Sequence, residues 1–527
     1  MQKINRRQFV QDLASVSFGI LNGGTIISSC RRSKSSAKKR PNIFFAISDD
    51  QSWLHTGING CKIVNTPTFD RIAREGVLFN NAFCAAPQCS PNRASILTGR
   101  HIWQNEEAGT HDSNFPNKLP VFPDLLEAAG YFVGFTGKPW GPGNWRISGW
   151  KRNPAGNEFN QFDFPLSATD GINKKDYAAN FIAFLKQRPK DHPFCFWFGC
   201  FEPHRKYERG AGVMRRKKLE EVIIPGFLPE ATEIRSDLLD YAVEIDWFDE
   251  QLGKMVSELK KIGELDNTII VVTSDNGMPF PRAKANNYEY GIHLPLAVRW
   301  GDSAPGGRII DDLISCVDFA PTFLEAAGIT HLPEMTGKSF QNLLVSNKQG
   351  LVDSSRCHIL SGRERHTHAR PNNFGYPVRA IRTPDFLYIW NLKPDRWPAG
   401  DPINSDDAEG YYDIDASPTK SFLIKNRANP AVKKYFLLAV AKRPAEELYN
   451  IKTDPACLEN LAARSEYHLI TRQLRAELEK ALIAQADPRI VGYGDIFESY
   501  PRYSSMRDFA GFKKQGEYNP EYRMVKK

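Results

Sequence analysis

"NIFFAISDD", Asn42 to Asp50, and "NTIIVVTSDN", Asn267 to Asn276, decide how this chain folds. Each is an apolar run, rich in β-branched or aromatic residues, that ends abruptly in a polar pair. A half-exposed strand alternates polar and apolar residues, because successive side chains point to opposite faces. A continuous apolar run signals a strand covered on both faces, as in a parallel sheet. Open sheets of that kind bind ligands in the crevice at the carboxyl ends of their strands. Asp49, Asp50, Asp275 and Asn276 are therefore predicted to share one mouth, although the two pairs lie far apart in the chain.

Helices fill the intervals. "TPTFDRIAREG" predicts a helix with Thr66 as N-cap, Pro67 in the first turn and Gly76 as the stop. "VFPDLLEAAGYFVGFTGK" predicts a helix ending at Gly130 and a strand ending near Lys138. "DLLDYAVEIDWFDEQLGKMVSELKKIG" reads as a long amphipathic helix before the second acidic strand, and "DFAPTFLEAAGI" as a further capped helix. The β/α alternation persists to about residue 360. Beyond it, "YPVRAIRTPDFLYIWNL" predicts an antiparallel hairpin with a Thr-Pro-Asp turn. "LYNIKTDPACLENLAARSEYHLITRQLRAELEKAL" predicts a turn and one long helix. The expected fold is α/β: a large domain over 41–373 with a central, mostly parallel sheet flanked by helices. A smaller α+β unit with an antiparallel sheet follows over 374–527, its tail from Pro501 wrapping the surface.

Of the 527 residues, 41% are hydrophobic and 25% charged, the balance of a globular protein. The formal charge of +8 is concentrated at the start: residues 1–30 carry +2 and residues 31–40, "RRSKSSAKKR", carry +6, which leaves the remainder neutral. A general nucleic-acid-binding surface is therefore not expected. "NRRQFVQDLASVSFGILNGGTIISSC" pairs Arg6 and Arg7 with Phe9 and a moderately apolar run, which resembles a twin-arginine export signal. Its end resembles a bacterial lipoprotein box with Cys30 as the lipidated residue. The expectation is an exported bacterial protein, periplasmic or at the cell surface, held to the membrane by a lipid anchor alone, with 31–40 as a basic tether. Nine cysteines without repeated CxxC spacing compel neither a disulfide framework nor a zinc cluster, and Cys195 and Cys200 in "FCFWFGC" are expected in a buried strand.

The two strand-end pairs offer only oxygen ligands, which favours a hard cation, calcium or magnesium, over zinc. Turn capping alone explains either pair, but not both at matching strand ends. In "CSPNRASILTGR", Cys89 to Arg100, Pro91 suits a first helical turn and Arg93 lies on the same helical face as Cys89. A helix N-terminus with a guanidinium nearby favours an anion at residue 89.

Cys89, Pro91, Arg93, Leu97, Thr98, Gly99 and Arg100 reproduce the signature of the type I sulfatases. The resemblance implies an alkaline-phosphatase-like fold, with Cys89 oxidised to formylglycine by a separate maturation enzyme. In that family the hydrated aldehyde attacks sulfur with one hydroxyl and expels sulfate with the other. It also implies calcium held by Asp49, Asp50, Asp275 and Asn276, with residue 89 completing the shell. Lys138 in "TGKPWGPG" falls on the family's Gly-Lys-x-His lysine, His204 in "EPHRKY" on its second catalytic histidine, and Lys284 in "RAKANNYEYG" on its sulfate-binding base. The catalytic group is thus Cys89, Arg93, Lys138, His204 and Lys284. Arg93, Lys138 and Lys284 are expected to offset charge on the transferring group, and His204 to protonate the leaving oxygen. Trp140 stands where the family has the histidine of Gly-Lys-x-His, and His111 in "AGTHDSNFP" is the candidate to replace it.

"SDNGMPFPRAKANNY", "EPHR" and "GYPVRAIRTPDFLYIWNL" resemble the heparan N-sulfatase (N-sulfoglucosamine sulfohydrolase) branch, whose arginine is Lys284 here. The implied substrate is a sulfated saccharide cleaved from its end. Arg205, and Arg363, Arg365 and His366 in "SGRERHTHAR", are candidate sugar contacts, the latter loop being equally readable as a solvated charged segment. Trp140 and Trp145 could stack on a sugar or simply pack. An O-sulfatase on another glycan, a phosphoester or phosphonate hydrolase of the same fold, and a glycan-binding lipoprotein that has lost turnover remain the alternatives.

Overall fold

The computed structural model of the protein describes residues 39–504, apart from 331–332 and 403–408. The expected export signal, most of the tether and the end of the tail lie outside the described residues. The large sheet has nine strands: β1 (Asn42–Ser48), β2 (Val77–Phe83), β3 (Phe132–Gly137), β4 (Asn157–Glu158), β5 (Phe194–Gly199), β6 (Thr268–Ser274), β7 (His293–Arg299), β8 (Arg308–Ile310) and β9 (Ile314–Ser315). Their order is β4-β3-β5-β1-β6-β7-β2-β8, with β9 also paired to β2. Only β7 runs antiparallel to its neighbours, β6 and β2.

Both faces are covered, as the unbroken apolar runs require. Phe45 points to one face and meets Phe319 and Phe323 at 5.4 and 5.5 Å between ring centroids. That face also receives the helices Cys89–Thr98 and Phe122–Ala128. Phe44 points the other way and meets Phe181 at 5.1 Å. There the helices Pro67–Glu75, Tyr177–Gln187 and Thr232–Lys261 pack. Each such buried phenylalanine stabilises the fold by about 1.5–3 kcal/mol, which makes this slab the rigid base of the mouth. Cys195 lies in β5 and Cys200 just after it, both buried.

One capping expectation is corrected. Thr66 precedes the helix Pro67–Glu75 but its side chain does not cap it. Thr66 Oγ1 instead accepts from the Gly57 amide at 2.7 Å, while Asp249 of the long helix accepts from the Thr68 and Phe69 amides at 2.9 and 2.7 Å. A carboxylate at a helix N-terminus is the stronger acceptor, and it came from a distant element.

A second sheet of four antiparallel strands has the order β10 (Ile359–Arg363), β11 (Val378–Arg382), β12 (Phe386–Asn391) and β13 (Glu446–Asn450). The predicted hairpin is β11–β12, closed where the Thr383 amide donates to the Phe386 carbonyl at 2.9 Å. Its outer partners went unread: β10 starts ahead of Asn373, and "EELYN" is a strand rather than the start of a turn. The helix His468–Ala484 covers the sheet through Leu474, Leu478 and Leu482. Both sheets belong to the compact unit that begins at Arg40.

Candidate active site

Four adjacent parallel strands, β3, β5, β1 and β6, deliver the site from their carboxyl ends. β1 and β6 pair in register to Ser48 opposite Ser274, so the residues that follow them emerge side by side. The Asp275 amide donates to the Ser48 carbonyl at 3.1 Å, and the Asp50 amide to Asp275 Oδ1 at 3.1 Å. Asp50 takes a positive φ of 73°, a turn that aspartate tolerates better than most residues. Lys138 follows β3, where Gly137 has φ 75° and a Cβ would strike the Gly199 carbonyl, so only glycine fits.

Cys89 opens its helix directly against this mouth. Its Sγ lies 3.2 Å from Asp49 Oδ1 and 3.9 Å from Asp50 Oδ1, and donor atoms of Asp49, Asp50, Cys89 and Asp275 all lie within 4.8 Å of one another. Burial and the Asp49 charge push the Cys89 thiol well above its usual range. A ready thiolate, which the helix terminus alone would favour, is therefore not what the site presents.

The cations are distributed among the carboxylates. Lys138 Nζ pairs with Asp49 Oδ2, and Lys284 Nζ with Asp50 Oδ2 at 2.6 Å. Burial works against the Asp49 charge, yet Lys138 holds this carboxyl well below its ordinary range. Burial pushes Asp50 and Asp275 up. Arg93 Nε donates to Asp275 Oδ2 at 2.8 Å and Nη1 to the Lys138 carbonyl at 2.6 Å, while Nη2 is buried without a partner. The guanidinium is thus anchored on Asp275 rather than turned wholly to residue 89.

The residues fit a hard divalent cation. Three buried carboxylates converge here, and burial opposes ionisation of Asp50 and Asp275, a cost that a cation relieves. Asn276 Nδ2 donates to Asp50 Oδ1 at 2.6 Å, which leaves Asn276 Oδ1 buried without a partner. An orphaned amide oxygen beside such a cluster is a natural further ligand.

A cavity of about 670 Å³ opens in front of this group, lined among others by Asp49, Lys138, His204, Lys284, His111, His366 and Asp415. His204 follows β5, with Nε2 4.0 Å from Asp50 Oδ2 and Nδ1 2.5 Å from the Arg205 carbonyl. That carbonyl only accepts, so Nδ1 carries the proton and Nε2 faces the site. Burial and the Lys284 charge lower its pKa to about 4. His111 lines the cavity as expected, its ring 4.7 Å from that of His366. Burial lowers both imidazoles, His366 to about 3.

Several expected sugar contacts are corrected. Arg205 lines the cavity, but its guanidinium forks onto Asp237 at 2.7 and 2.8 Å and Nε donates to the Pro279 carbonyl. Arg363 is buried on Asp413 at 2.6 Å, and Arg365 donates to the carbonyls of Tyr500 and His111. "SGRERHTHAR" is therefore neither a solvated loop nor a cluster of free arginines, because each arginine has found an internal acceptor. Only His366 and Thr367 of this segment reach the cavity. Trp140 is buried at 2% exposure, edge-on to Phe115, with Nε1 donating to the Ser90 carbonyl at 3.1 Å. It packs behind the Cys89 helix start and does not stack on a ligand. Trp145 lies against Arg146 at 4.1 Å.

Asp415 escaped the sequence reading. In "DIDASPTK" it reads as one more residue near a helix cap, and Ser417 is indeed the cap of the helix Pro418–Lys425. Yet Asp415 Oδ2 stands 3.1 Å from Lys284 Nζ on the cavity wall.

A family profile described as Sulfatase matches residues 41–329. The chain belongs to the sulfatase family. It is 26% identical to an "Ulvan-active sulfatase" of Formosa agariphila, over 85% of this chain and 76% of that protein. It is 25% identical to the "N-sulphoglucosamine sulphohydrolase" of Homo sapiens, over 88% and 94%. A solved chain in complex with its substrate D-glucosamine-2-N,6-O-disulfate superposes with a TM-score of 0.62 at 22% identity, covering 85% of this chain and 99% of that one. The protein is a sulfatase enzyme, with a mostly parallel central sheet and a smaller antiparallel one.

Proposed function

We propose that this sulfatase releases sulfate from a sulfated saccharide, with residue 89 acting as formylglycine beside a bound calcium ion. The observation that carries the reading is the convergence of Asp49, Asp50, Asp275 and Cys89 at two paired strand ends. Formylglycine, when hydrated, supplies an oxygen nucleophile that a buried thiol does not. Calcium, held by Asp49, Asp50, Asp275, Asn276 and residue 89, supplies positive charge for the transferring group.

The side chains of this protein do the rest. Lys138 and Lys284, each already poised on a metal-site carboxylate, turn toward the sulfate oxygens as charge develops there. Arg93 fixes Asp275 and presents its spare Nη2 from a dry interior. His204 holds its Nδ1 proton on the Arg205 carbonyl, which directs Nε2 to the leaving oxygen. The bound anion favours the protonated imidazole needed to pass a proton to that oxygen. His111 and His366, neutral and turned into the cavity, are placed to hydrogen-bond the substrate.

The human relative and the branch-specific segments favour an exo-acting N-sulfoglucosamine sulfohydrolase activity. Lys284, in place of the arginine of the heparan N-sulfatase branch, makes an O-sulfatase on another glycan the second reading. A desulfation screen on defined heparin, chondroitin and algal oligosaccharides, with and without calcium, tests both. The N-sulfatase reading predicts sulfate release from a terminal N-sulfated glucosamine. Release from O-sulfated termini alone would reassign the substrate, and no release from any of them would refute the saccharide reading. We further propose twin-arginine export and lipid anchoring at Cys30, by a folded protein already modified at residue 89 in the cytoplasm. An export-blocked protein carrying only the thiol would contradict this order.

A further inference from the structure

We infer that Asp415 sets the charge selectivity of the cavity, admitting a monoanionic ester ahead of a dianionic one. The inference rests on the reading that Lys284 meets the oxyanion of the bound ester. Lys284 Nζ stands between two carboxylates, Asp50 at 2.6 Å on the side of the metal cluster and Asp415 at 3.1 Å on the cavity wall. The Asp415 contact is an ion pair without aligned hydrogen-bond geometry, and its Oδ2 has no hydrogen-bond partner. Burial opposes its charge, but the Lys284 ammonium beside it keeps the carboxyl low, so it is ionised at neutral pH.

The other charges on this wall do not cancel it. Arg205 is spent on Asp237, and Arg502 on Asp112 at 2.7 Å. The Glu202 carboxylate faces away, accepting from Tyr177 and the Asn173 amide. Asp415 therefore adds to the cavity wall, beside the lysine, a carboxylate that neither arginine neutralises.

Sulfate and phosphate monoesters share a tetrahedral outline, so shape separates them poorly. Charge separates them well: a sulfate ester carries one negative charge, whereas a phosphate monoester, with a second pKa near about 6, carries nearly two at about pH 8. A fixed carboxylate within a few ångströms, in a low-dielectric pocket, disfavours the extra charge by about tenfold or more. Asp415 is on this view a specificity determinant supplied by the C-terminal part of the chain.

The test measures dissociation constants of phenyl sulfate and phenyl phosphate by calorimetry, on the full-length protein carrying Cys89→Ala to prevent turnover, alone and combined with Asp415→Asn or Asp415→Glu, at about pH 8 and about pH 5. Asp415→Asn should shift the affinity ratio toward phosphate by about tenfold at the higher pH and by much less at the lower, where the phosphate ester has lost a charge. Asp415→Glu should keep the parent ratio. Because each ratio is taken on one preparation, a partly unfolded variant does not distort it. An unchanged ratio in Asp415→Asn, an equal shift at both pH values, or the same shift in Asp415→Glu would overturn the inference. Turnover of 4-nitrophenyl sulfate, followed separately, reports on the sulfatase reading itself, whose failure would leave the binding ratios readable.

Discussion

Asp49 and Lys138 reach the cavity from the ends of paired strands, whereas His366 and Asp415 reach it from a wall held by buried ion pairs. At the mouth, register does the positioning: once β1, β6, β3 and β5 align, the residues after them have nowhere else to go. The wall has no such frame. Asp413 accepts from Arg363 at 2.6 Å and from the Thr367 amide at 3.0 Å, pairs with Arg370 at 2.7 Å, and so fixes the loop that carries His366. Glu364 does the same between Arg379 and Arg489. The mouth is thus expected to tolerate damage to stability elsewhere, and the wall to fail when one charge is removed.

The largest expected effect comes from breaking the mouth. Cys89→Ala should lower turnover of 4-nitrophenyl sulfate by at least about a thousandfold while leaving the melting temperature near that of the parent. Residual activity at parent level would mean that residue 89 is not the nucleophile. His111→Ala probes the seam between mouth and wall. If His111 stands in for the histidine that Trp140 displaced, sulfate release should slow by about a hundredfold in single-turnover measurements. Unchanged turnover would return Trp140 to the centre of the question.

The wall is tested by stability. Asp413→Asn leaves Arg363 and Arg370 buried without their carboxylate, and chemical denaturation should show a loss of about 3–5 kcal/mol. A loss below about 1 kcal/mol would show that solvent reaches these arginines. The smallest effect belongs to Glu244, which is buried on the long helix with Oε2 unpaired. Burial and the neighbouring Glu202 raise its pKa to about 9. A raised carboxyl contributes stability that is complete below its unfolded pKa, near about 4.3, and is lost as pH rises toward about 9. Glu244→Gln should therefore flatten the decline in melting temperature between those limits and raise it by roughly 1–3 °C at pH 8. A steeper decline would reverse the assignment.

What could be read in the sequence follows the same division. The strands β1 and β6, the helix start at Cys89 and the residues at the mouth were legible because each is announced locally, by an apolar run, a proline or a signature. Lys138 and His204 needed the family resemblance to stand out from ordinary loop residues. The wall was misread because an arginine-rich string looks alike whether solvated or buried, and the acceptors of Arg363 and Arg370 lie some way along the chain at Asp413. Asp415 gave no local signal at all. Its meaning depends on Lys284, which the distant connection between β6 and β7 delivers. Trp140 was visible as a departure, but its burial on the Ser90 carbonyl was not.

The central claim is that an oxidised Cys89 works against the oxygen cluster of β1 and β6. Mass spectrometry of the proteolytic peptide spanning Cys89–Arg100, taken from protein with measured sulfate release, tests it most directly. The account predicts an aldehyde or its hydrate at residue 89 in the active fraction. An unmodified thiol in fully active protein would contradict it.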